Sequence, residues 1–160
     1  MSTIVVGVDG SEASLRALRF AIDEARVHGA DVKAVNAWHV PPLAYGAGMG
    51  PVPIDLAAYP QVAHARLEES LREIEAADSG VTVIPVVREG RPAHILCEEA
   101  KNADLLVVGA RGLGGFRGLL LGSVSQECAH HAGCPVVIVR NEEAETDAGR
   151  VKKHGALTHR

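Results

Sequence analysis

The stretch Asp104–Ser123, DLLVVGARGLGGFRGLLLGS, combines the features that decide the fold. Its first part, Asp104–Gly109, is short and almost continuously apolar, which is typical of a strand buried on both faces of a parallel sheet. Six of the 17 glycines of the chain follow within residues 109–122, directly before a helical pattern that opens at Ser123. A strand, a glycine-rich turn and a helix start, in this order, predict a unit whose backbone N–H groups can approach a ligand.

The start of this predicted helix favours an anion. Unpaired N–H groups and the positive end of the helix dipole suit phosphate, and we expect them at Gly122, Ser123, Val124 and Ser125. Arg111 and Arg117 supply nearby cations. A purely structural interpretation stays open, because Ser123 and Gln126 have the spacing of a capping box that needs no ligand.

Four further segments share the short, β-branched and apolar character of a buried strand: Thr3–Val8, Val32–Trp38, Val81–Val87 and Pro135–Arg140. Between the strands, apolar residues at three- and four-residue spacing predict helices over Ser11–His28, Ala57–Ala77, Pro92–Asn102 and Ser123–Ala132. Pro92 is well placed as a first helical residue. Strands that alternate with helices imply βαβ crossovers. We therefore predict an α/β fold, a doubly wound parallel sheet of five strands with helices on both faces.

A carboxylate marks the end of the first predicted strand, in the run Gly7-Val8-Asp9-Gly10-Ser11. If this strand and Asp104–Gly109 are neighbours, both following loops open onto the crevice in which doubly wound sheets bind ligands. Asp9 is equally well placed as an acceptor that caps the following helix. The two roles can coexist.

Composition and charge exclude nucleic acid as a partner. Only 3% of the 160 residues are aromatic, which argues against binding single strands by stacking. Residues 150–160 hold four basic side chains and no acidic one, so residues 1–149 carry 12 basic and 20 acidic side chains, a net charge of −8. This net negative charge repels the phosphate backbone of a nucleic acid, so any bound anion must be held by local dipoles and a few nearby cations.

Cysteine usage and hydropathy indicate a cytoplasmic protein. Cys97, Cys128 and Cys134 are odd in number and form no CxxC pair, so neither a disulfide framework nor a zinc site is expected. The amino-terminal apolar run is short and has no basic region before it, and no apolar stretch reaches the roughly 18 residues of a membrane span. We expect neither a signal peptide nor a membrane partner.

Two segments interrupt the pattern. Residues 41–60 contain five prolines and three glycines, which predicts a long surface connection or a functional lid. Residues 141–160 are polar and aperiodic, which predicts a disordered tail after a single domain over residues 1–140. No histidine spacing indicates a metal site and no G-x-S-x-G elbow is present, so we assign neither metal ligands nor catalytic residues.

The spacing Gly109-x2-Gly112-x9-Gly122-Ser123 resembles the G-2x-G-9x-G(S/T) signature of the universal stress protein family, in its ATP-binding branch. The likeness runs from Ile4 to Arg140 and includes IVVGVDGS, NAW, VREGRPAHIL and LLGSVSQECAHHAGCPVVIVR. It implies a five-stranded parallel sheet in the order 3-2-1-4-5, with the switch point between the first and fourth strands.

The resemblance also implies a ligand, ATP, with Mg or Mn, where present, bound through the phosphates. The first-strand loop of Asp9, Gly10 and Ser11 would line the nucleotide site, and the backbone of Ala37 would contact adenine. The residues implied along ribose and phosphates are Gly109, Arg111, Gly112, Gly122, Ser123, Val124 and Ser125. Residue type varies at the family position of Arg111.

The function implied is that of a nucleotide-dependent stress-response regulator acting through a protein partner. The last strand, Pro135–Arg140, is an apolar edge, and the family uses this strand to form homodimers. Three alternatives stay open: a dimeric interaction module independent of nucleotide, a weak ATPase or self-phosphorylating protein using Ser123 or Ser125, and a cyclic AMP binder.

Overall fold

The computed structural model describes residues 2–39, 58–113 and 120–140. Within them five strands form one parallel sheet: β1 (Thr3–Gly7), β2 (Asp31–Trp38), β3 (Val83–Glu89), β4 (Leu105–Gly109) and β5 (Val136–Val139). The connecting helices are α1 (Glu12–His28), α2 (Ala58–Glu73), α3 (Pro92–Glu99) and α4 (Ser123–His131). The strand order is β3-β2-β1-β4-β5, which confirms the predicted topology.

The helices cover both faces of the sheet, as predicted. On one face α1 and α2 pack around Leu18 and Leu67, which are buried. On the other face α3 and α4 pack around Leu96 and Cys128. Because successive side chains of a strand point to opposite faces, strands covered twice must be apolar throughout, and this is the continuous pattern that β1 and β4 show.

Local signals in the sequence set the bounds of α1. The Ser11 hydroxyl accepts a hydrogen bond from the Ser14 N–H at 3.2 Å, so Ser11 is the N-cap and the helix begins at Glu12. Gly29 ends it in the left-handed region, with φ 62°, and its N–H bonds to the Ala25 carbonyl. The capping residue of α1 is therefore Ser11, and the capping role considered for Asp9 is wrong.

Several predicted bounds need correction by one to four residues. Helix α2 ends at Glu73 and not at residue 77, because Glu75 takes a positive φ of 53° and a separate 3-10 turn follows at Ala76–Asp78. Pro60 belongs to the first turn of α2, where proline is tolerated, and not to the predicted loop. Helix α3 begins at Pro92 as predicted and stops at Glu99.

The strands are shifted in the same way, since Val8 lies beyond β1 and β3 runs from Val83 to Glu89. Residues 40–57, which include most of the predicted surface loop or lid, and residues 141–160, the predicted tail, lie outside the described residues. In the part of the chain that the structure covers, no helix has both the length and the apolar content required to cross a membrane.

The two edges of the sheet differ. Directly before β3, the Thr82 carbonyl accepts from the Val32 N–H of β2 at 2.9 Å. Because the backbone groups of successive residues point alternately toward and away from the neighbouring strand, the nitrogen of Pro85 faces the outer edge of the sheet, and it carries no hydrogen. On β5, the Pro135 and Val139 carbonyls accept from β4 and its following residue, so the backbone of Ile138 faces outward. The β3 edge therefore lacks a central donor that the β5 edge retains.

Candidate functional site

The loops singled out in the sequence meet at the carboxyl edge of the sheet. Strand β1 pairs with β2 on one side and with β4 on the other, so the first and fourth strands are neighbours as expected. The residues that follow β1 and β4, together with the start of α4, therefore surround the switch point of the doubly wound sheet. Ligands of such sheets bind at this position.

Asp9 joins the two loops directly. Its Oδ1 accepts from the Ser11 N–H at 2.9 Å, and its Oδ2 accepts from the Leu113 N–H at 3.1 Å. A Cβ on Gly112 would lie 2.5 Å from Oδ2, so only glycine allows the glycine-rich segment to approach this closely. The carboxylate thus holds the first-strand loop and the glycine-rich segment in one arrangement.

Gly109 is required for a different contact. A Cβ at this position would lie 2.8 Å from the carbonyl carbon of Ala13 and 2.9 Å from its Cβ, both in the first turn of α1. Real side chains do not approach backbone so closely, so glycine is what lets the end of β4 pack against α1. This packing brings the two loops of the site together.

The start of α4 differs from the capping box that its sequence suggested. Gly122 is the N-cap, without a side-chain cap, and Ser123 is the first helical residue with its side chain exposed. The Gln126 amide does not return to the N-cap backbone; its Nε2 lies 3.5 Å from the Leu121 carbonyl. The capping-box interpretation is therefore wrong.

One of the four N–H groups expected to be unpaired is in use. The Gly122 N–H donates to the Ala110 carbonyl at 2.7 Å, and the first bond of the helix ladder runs from the Gln126 N–H to the Gly122 carbonyl at 3.1 Å. The N–H groups of Ser123, Val124 and Ser125 precede that bond and have no partner within the helix. Three donors and the positive end of the dipole therefore converge beside the glycine-rich segment.

The hydroxyl of Ser125 has a structural task. This residue is 2% exposed, and its Oγ lies 2.9 Å from the carbonyl oxygens of both Ala110 and Gly122. The hydroxyl thus binds α4 to the residues after β4. The hydroxyl is therefore engaged within the fold, whereas the backbone N–H of Ser125 is one of the three at the helix start that have no partner within the helix.

Ala37 and Trp38 lie at the end of β2 and face opposite sides of the sheet. The Ala37 side chain packs against the cluster of α3 and α4, whereas the Trp38 ring stacks on Tyr59 of α2 with centroids 6.0 Å apart. Next to them, buried Asn36 donates from Nδ2 to the Val8 carbonyl at 2.7 Å. This bond ties the exit of β1 to β2, so the predicted adenine position is held in register with the Asp9 loop.

Cations occur on two sides of the site. Arg111 is half-buried and precedes Gly112, and Arg117 lies outside the described residues. Arg66 of α2, which no sequence pattern singles out, lies over Gly10: a Cβ on Gly10 would be 2.9 Å from the Arg66 Cγ. No local pattern links these two residues, because tertiary packing alone brings them together.

Among the residues that the structure describes, no group of three or more histidine, cysteine, aspartate or glutamate side chains could hold a metal ion. The chemistry that these residues offer a ligand is therefore hydrogen-bond donation from backbone N–H groups, with nearby guanidinium charge. Backbone donors at a helix start are chemically suited to a phosphate group.

Known proteins share this chain's sequence and fold. The model of the universal stress protein family matches residues 1–140. A universal stress protein of Mycolicibacterium smegmatis is 39% identical over 141 residues, which cover 86% of this chain and 45% of that protein. The chain thus spans a little under half the length of the curated relatives it matches.

Two solved structures illustrate the likeness in fold. A universal stress protein in complex with cAMP is 33% identical, with a TM-score of 0.61, over 86% of this chain and 95% of that one. A universal stress protein family protein from Arabidopsis thaliana with AMP bound is 23% identical, with a TM-score of 0.60, over 93% and 97% of the two chains.

Proposed function

Because the chain belongs to the universal stress protein family, we propose that it binds an adenine nucleotide, ATP, at the carboxyl edge of the sheet and acts as a nucleotide-dependent regulator. Residues 1–140 would form the binding domain, in a cytoplasmic setting that suits its free thiols, and residues 141–160 a tail. The observation that carries the proposal is the glycine at the start of α4.

The fold does not require glycine at position 122. Its φ of −80° suits any residue, and a Cβ would stand no closer than 3.5 Å to the Ala110 oxygen and the Arg111 Cα, an ordinary contact. Serine, threonine, aspartate or asparagine would cap the helix better at this N-cap position. A Cβ here would instead project into the gap between the helix start and the glycine-rich segment, where we place the phosphates.

With the phosphates placed at the start of α4, we assign the other parts of the nucleotide to the neighbouring loops. The N–H groups of Ser123, Val124 and Ser125 would hold phosphate oxygens, and Arg111 would offset their charge. Gly109 and Gly112 would border ribose and phosphates, and the Asp9–Gly10–Ser11 loop would line the site. The backbone at Ala37 would contact adenine, and Mg or Mn would bind through the phosphates.

Regulation would follow from the contact between Asp9 and Leu113. This hydrogen bond fixes the start of the glycine-rich segment, so a ligand that enters beside it changes which surface that segment offers to a protein partner. A homodimer through the strand Pro135–Arg140 would present two such surfaces. We assign no general base or nucleophile among the described residues of the site, so ATP turnover would be slow or incidental.

Calorimetric titration with ATP tests the proposal, using the wild type, Gly122→Ala and Gly133→Ala. The control position has open space at Cβ and lies at the far end of α4. We expect wild-type binding, a loss of at least tenfold in Gly122→Ala, about 1.4 kcal/mol or more, and unchanged binding in Gly133→Ala. Absence of wild-type binding at millimolar ATP would refute the proposal.

Cyclic AMP is the second candidate ligand. It is favoured by the 33% identical universal stress protein whose solved structure contains cAMP. A single phosphate fits the three N–H groups at the start of α4 as well as one phosphate of ATP does. Titrating cAMP into the same three proteins ranks the two ligands, and mass spectrometry of nucleotide released from purified protein identifies the one retained.

The two remaining alternatives make different predictions. If the protein is a nucleotide-independent module, the Gly122→Ala variant would dimerise and capture its partner as well as the wild type does. A weak ATPase or self-phosphorylating protein would release phosphate or gain mass with ATP, and alanine at Ser123 or Ser125 would remove that activity. Malachite green assay and intact mass measure both.

A further inference from the structure

All three cysteines of the chain lie on the side of the sheet that α3 and α4 cover. Cys128 of α4 is buried in that cluster, and Cys97 of α3 and Cys134, which precedes β5, pack against it with partial exposure. Residues 97 and 128 are far apart in sequence, so only the packing of α3 on α4 brings their thiols together.

Cys97 and Cys128 face each other where the two helices meet. The S–H of Cys128 donates a weak hydrogen bond to the sulfur of Cys97. Packed helices have axes about 8–10 Å apart and a Cα radius of about 2.3 Å, which leaves roughly 3.5–5.5 Å between the Cα atoms of facing residues. Disulfides span about 4.4–6.8 Å between Cα atoms. A bond between two such positions therefore needs little movement of either helix.

The two thiols differ in access and in acidity. Cys128 is fully buried, whereas Cys97 is partly exposed. Burial raises the pKa of both thiols, and their hydrogen bond opposes this effect at Cys97, the acceptor, and adds to it at Cys128, the donor. Cys97 is therefore the thiol that an oxidant reaches first and the one that ionises more readily.

Cys134 is the alternative partner for Cys97, and it is held in a different contact. The carbonyl of the next residue, Pro135, accepts from the Leu106 N–H at 2.9 Å, which fixes this turn beside β4. The Cys134 sulfur interacts with the backbone of the same Leu106, and with Cys97 it interacts through charge alone. The geometry therefore favours Cys128 as the partner and makes Cys134 a matched control.

We propose that Cys97 and Cys128 form a reversible disulfide in the presence of hydrogen peroxide, and that this bond fastens α3 to α4. The Cys97 sulfur attacks one oxygen of the peroxide, the O–O bond breaks, and the products are a sulfenic acid and water. The Cys128 sulfur then attacks the Cys97 sulfur, the S–O bond breaks, and the released hydroxide takes the Cys128 proton as a second water. The two thiols lose two electrons in total, and the peroxide is reduced to two waters.

The local chemistry makes this reaction slow and its product stable. Because the raised pKa of each thiol keeps the thiolate fraction small at neutral pH, a sustained supply of oxidant is required. The disulfide closes the chain between residues 97 and 128 and so restricts the unfolded state. The oxidised chain is therefore the more stable form. The inference does not depend on the proposed nucleotide site.

Mass spectrometry of the full chain, reduced and then treated with hydrogen peroxide, tests the inference. Remaining thiols are alkylated, and digestion identifies any linked peptides. We expect wild type and Cys134→Ser to lose the mass of two hydrogen atoms and to yield linked Cys97 and Cys128 peptides, both reversed by dithiothreitol. Cys128→Ala and Cys97→Ala should form no link within the chain.

Thermal denaturation provides an independent measurement. Oxidation should raise the unfolding temperature of wild type and of Cys134→Ser by about 5 °C or more, and it should not raise that of Cys97→Ala. Circular dichroism establishes that each variant is folded. Because Cys97 is partly exposed, Cys97→Ala keeps the test decisive if the loss of the buried Cys128 side chain unfolds the protein.

Three results would overturn the proposal. The folded chain could keep all three thiols free after the peroxide treatment, it could link Cys97 to Cys134, or it could oxidise Cys97 beyond the sulfenic acid without forming a link. Each would show that the contact between Cys97 and Cys128 does not direct the reaction.

Discussion

One carboxylate, that of Asp9, holds together two loops that are 104 residues apart in sequence. Each of its oxygens accepts a backbone N–H, and Gly112 passes beside Oδ2 without a side chain. Because the donors belong to different loops, the carboxylate converts two separate turns into one surface. The position of the glycine-rich segment relative to the first-strand loop therefore depends in part on this one side chain.

Replacing Asp9 with alanine should release the glycine-rich segment. The N–H groups of Ser11 and Leu113 would lose their acceptor, and each hydrogen bond to a charged group contributes about 1.5–3 kcal/mol. We expect the Leu113 amide to exchange with solvent at least tenfold faster by NMR, and the free energy of unfolding to fall by about 1–3 kcal/mol. Asp9→Asn, which retains acceptor oxygen, should show a smaller effect. Unchanged exchange at Leu113 in Asp9→Ala would contradict this role.

The thiols of Cys97 on α3, Cys128 on α4 and Cys134 before β5 make the free energy of unfolding sensitive to alkaline pH. Burial, and to a smaller extent the neighbouring Cys97 and Glu127, raise the pKa of the Cys128 thiol from 9.0 to about 12. Burial likewise raises the pKa of Cys97 and of Cys134. These thiols stay protonated at neutral pH, which makes them weak nucleophiles.

The free energy of unfolding should therefore fall as pH rises above 9, the ordinary pKa in the unfolded chain. Between that value and about 12 the unfolded chain releases the Cys128 proton and the folded chain keeps it, so higher pH favours unfolding. One such group contributes a slope of up to about 1.4 kcal/mol per pH unit. Urea denaturation at a series of pH values from 7 to about 10.5 measures how the free energy of unfolding changes with pH. This slope should be shallower in Cys128→Ala. Equal slopes would exclude this origin.

At the scale of elements, two salt bridges of Glu99 connect α3 to the sheet. The carboxylate of Glu99 accepts from Lys33 of β2 at 3.1 Å and from Arg88 of β3 at 2.5 Å, and its side chain is only 12% exposed. Glu98 is 35% exposed and lies 3.7 Å from Arg88. The partly buried carboxylate can therefore stabilise the contact between α3 and two strands, whereas the exposed one contributes little.

We expect Glu99→Gln to lower the free energy of unfolding by about 1–2 kcal/mol, because two cations lose a charged acceptor in a partly buried position. Glu98→Gln on the next residue is the matched control and should change it by less than about 0.5 kcal/mol. Urea unfolding at low and at moderate salt gives both values. If the two variants were equally stable, the ion pairs of Glu99 would have no special role.

Elements were more predictable from sequence than contacts between them. Continuous apolar runs identified all five strands, and Pro92 marked the start of α3, because burial on two faces and a fixed φ are local properties. The capping-box spacing predicts the N-cap of α4 at Ser123, whereas the structure has it at Gly122, because both residue types suit a helix start. Arg66 could not be found, because its contact with Gly10 depends on how α2 packs.

At the scale of the whole molecule, the edges of the sheet determine how copies can associate. The proposed homodimer uses β5, whose Ile138 directs its N–H and carbonyl outward, away from β4. On the opposite edge, Pro85 offers no donor at the centre of β3. Pairing between copies is therefore open at β5 and obstructed at β3.

If copies pair through β5 as proposed, Ile138→Pro should convert the dimer to a monomer. The substitution removes an outward donor and leaves the bonds between β4 and β5, which use alternate residues. Val87→Pro removes an outward donor from the other edge and should leave the dimer intact. Sedimentation velocity determines both masses, with circular dichroism as the folding control. A dimer that persists in Ile138→Pro would place the interface elsewhere.

Pro85 has a consequence for how far such assembly can proceed. When both edges of a sheet can pair with another copy, each added copy exposes a new unpaired edge, so association can continue without limit. With β3 obstructed, the union of two copies through β5 leaves only obstructed edges on the outside. In the proposed homodimer, the proline would therefore limit the product to a closed pair and would keep a concentrated protein from growing into fibrils.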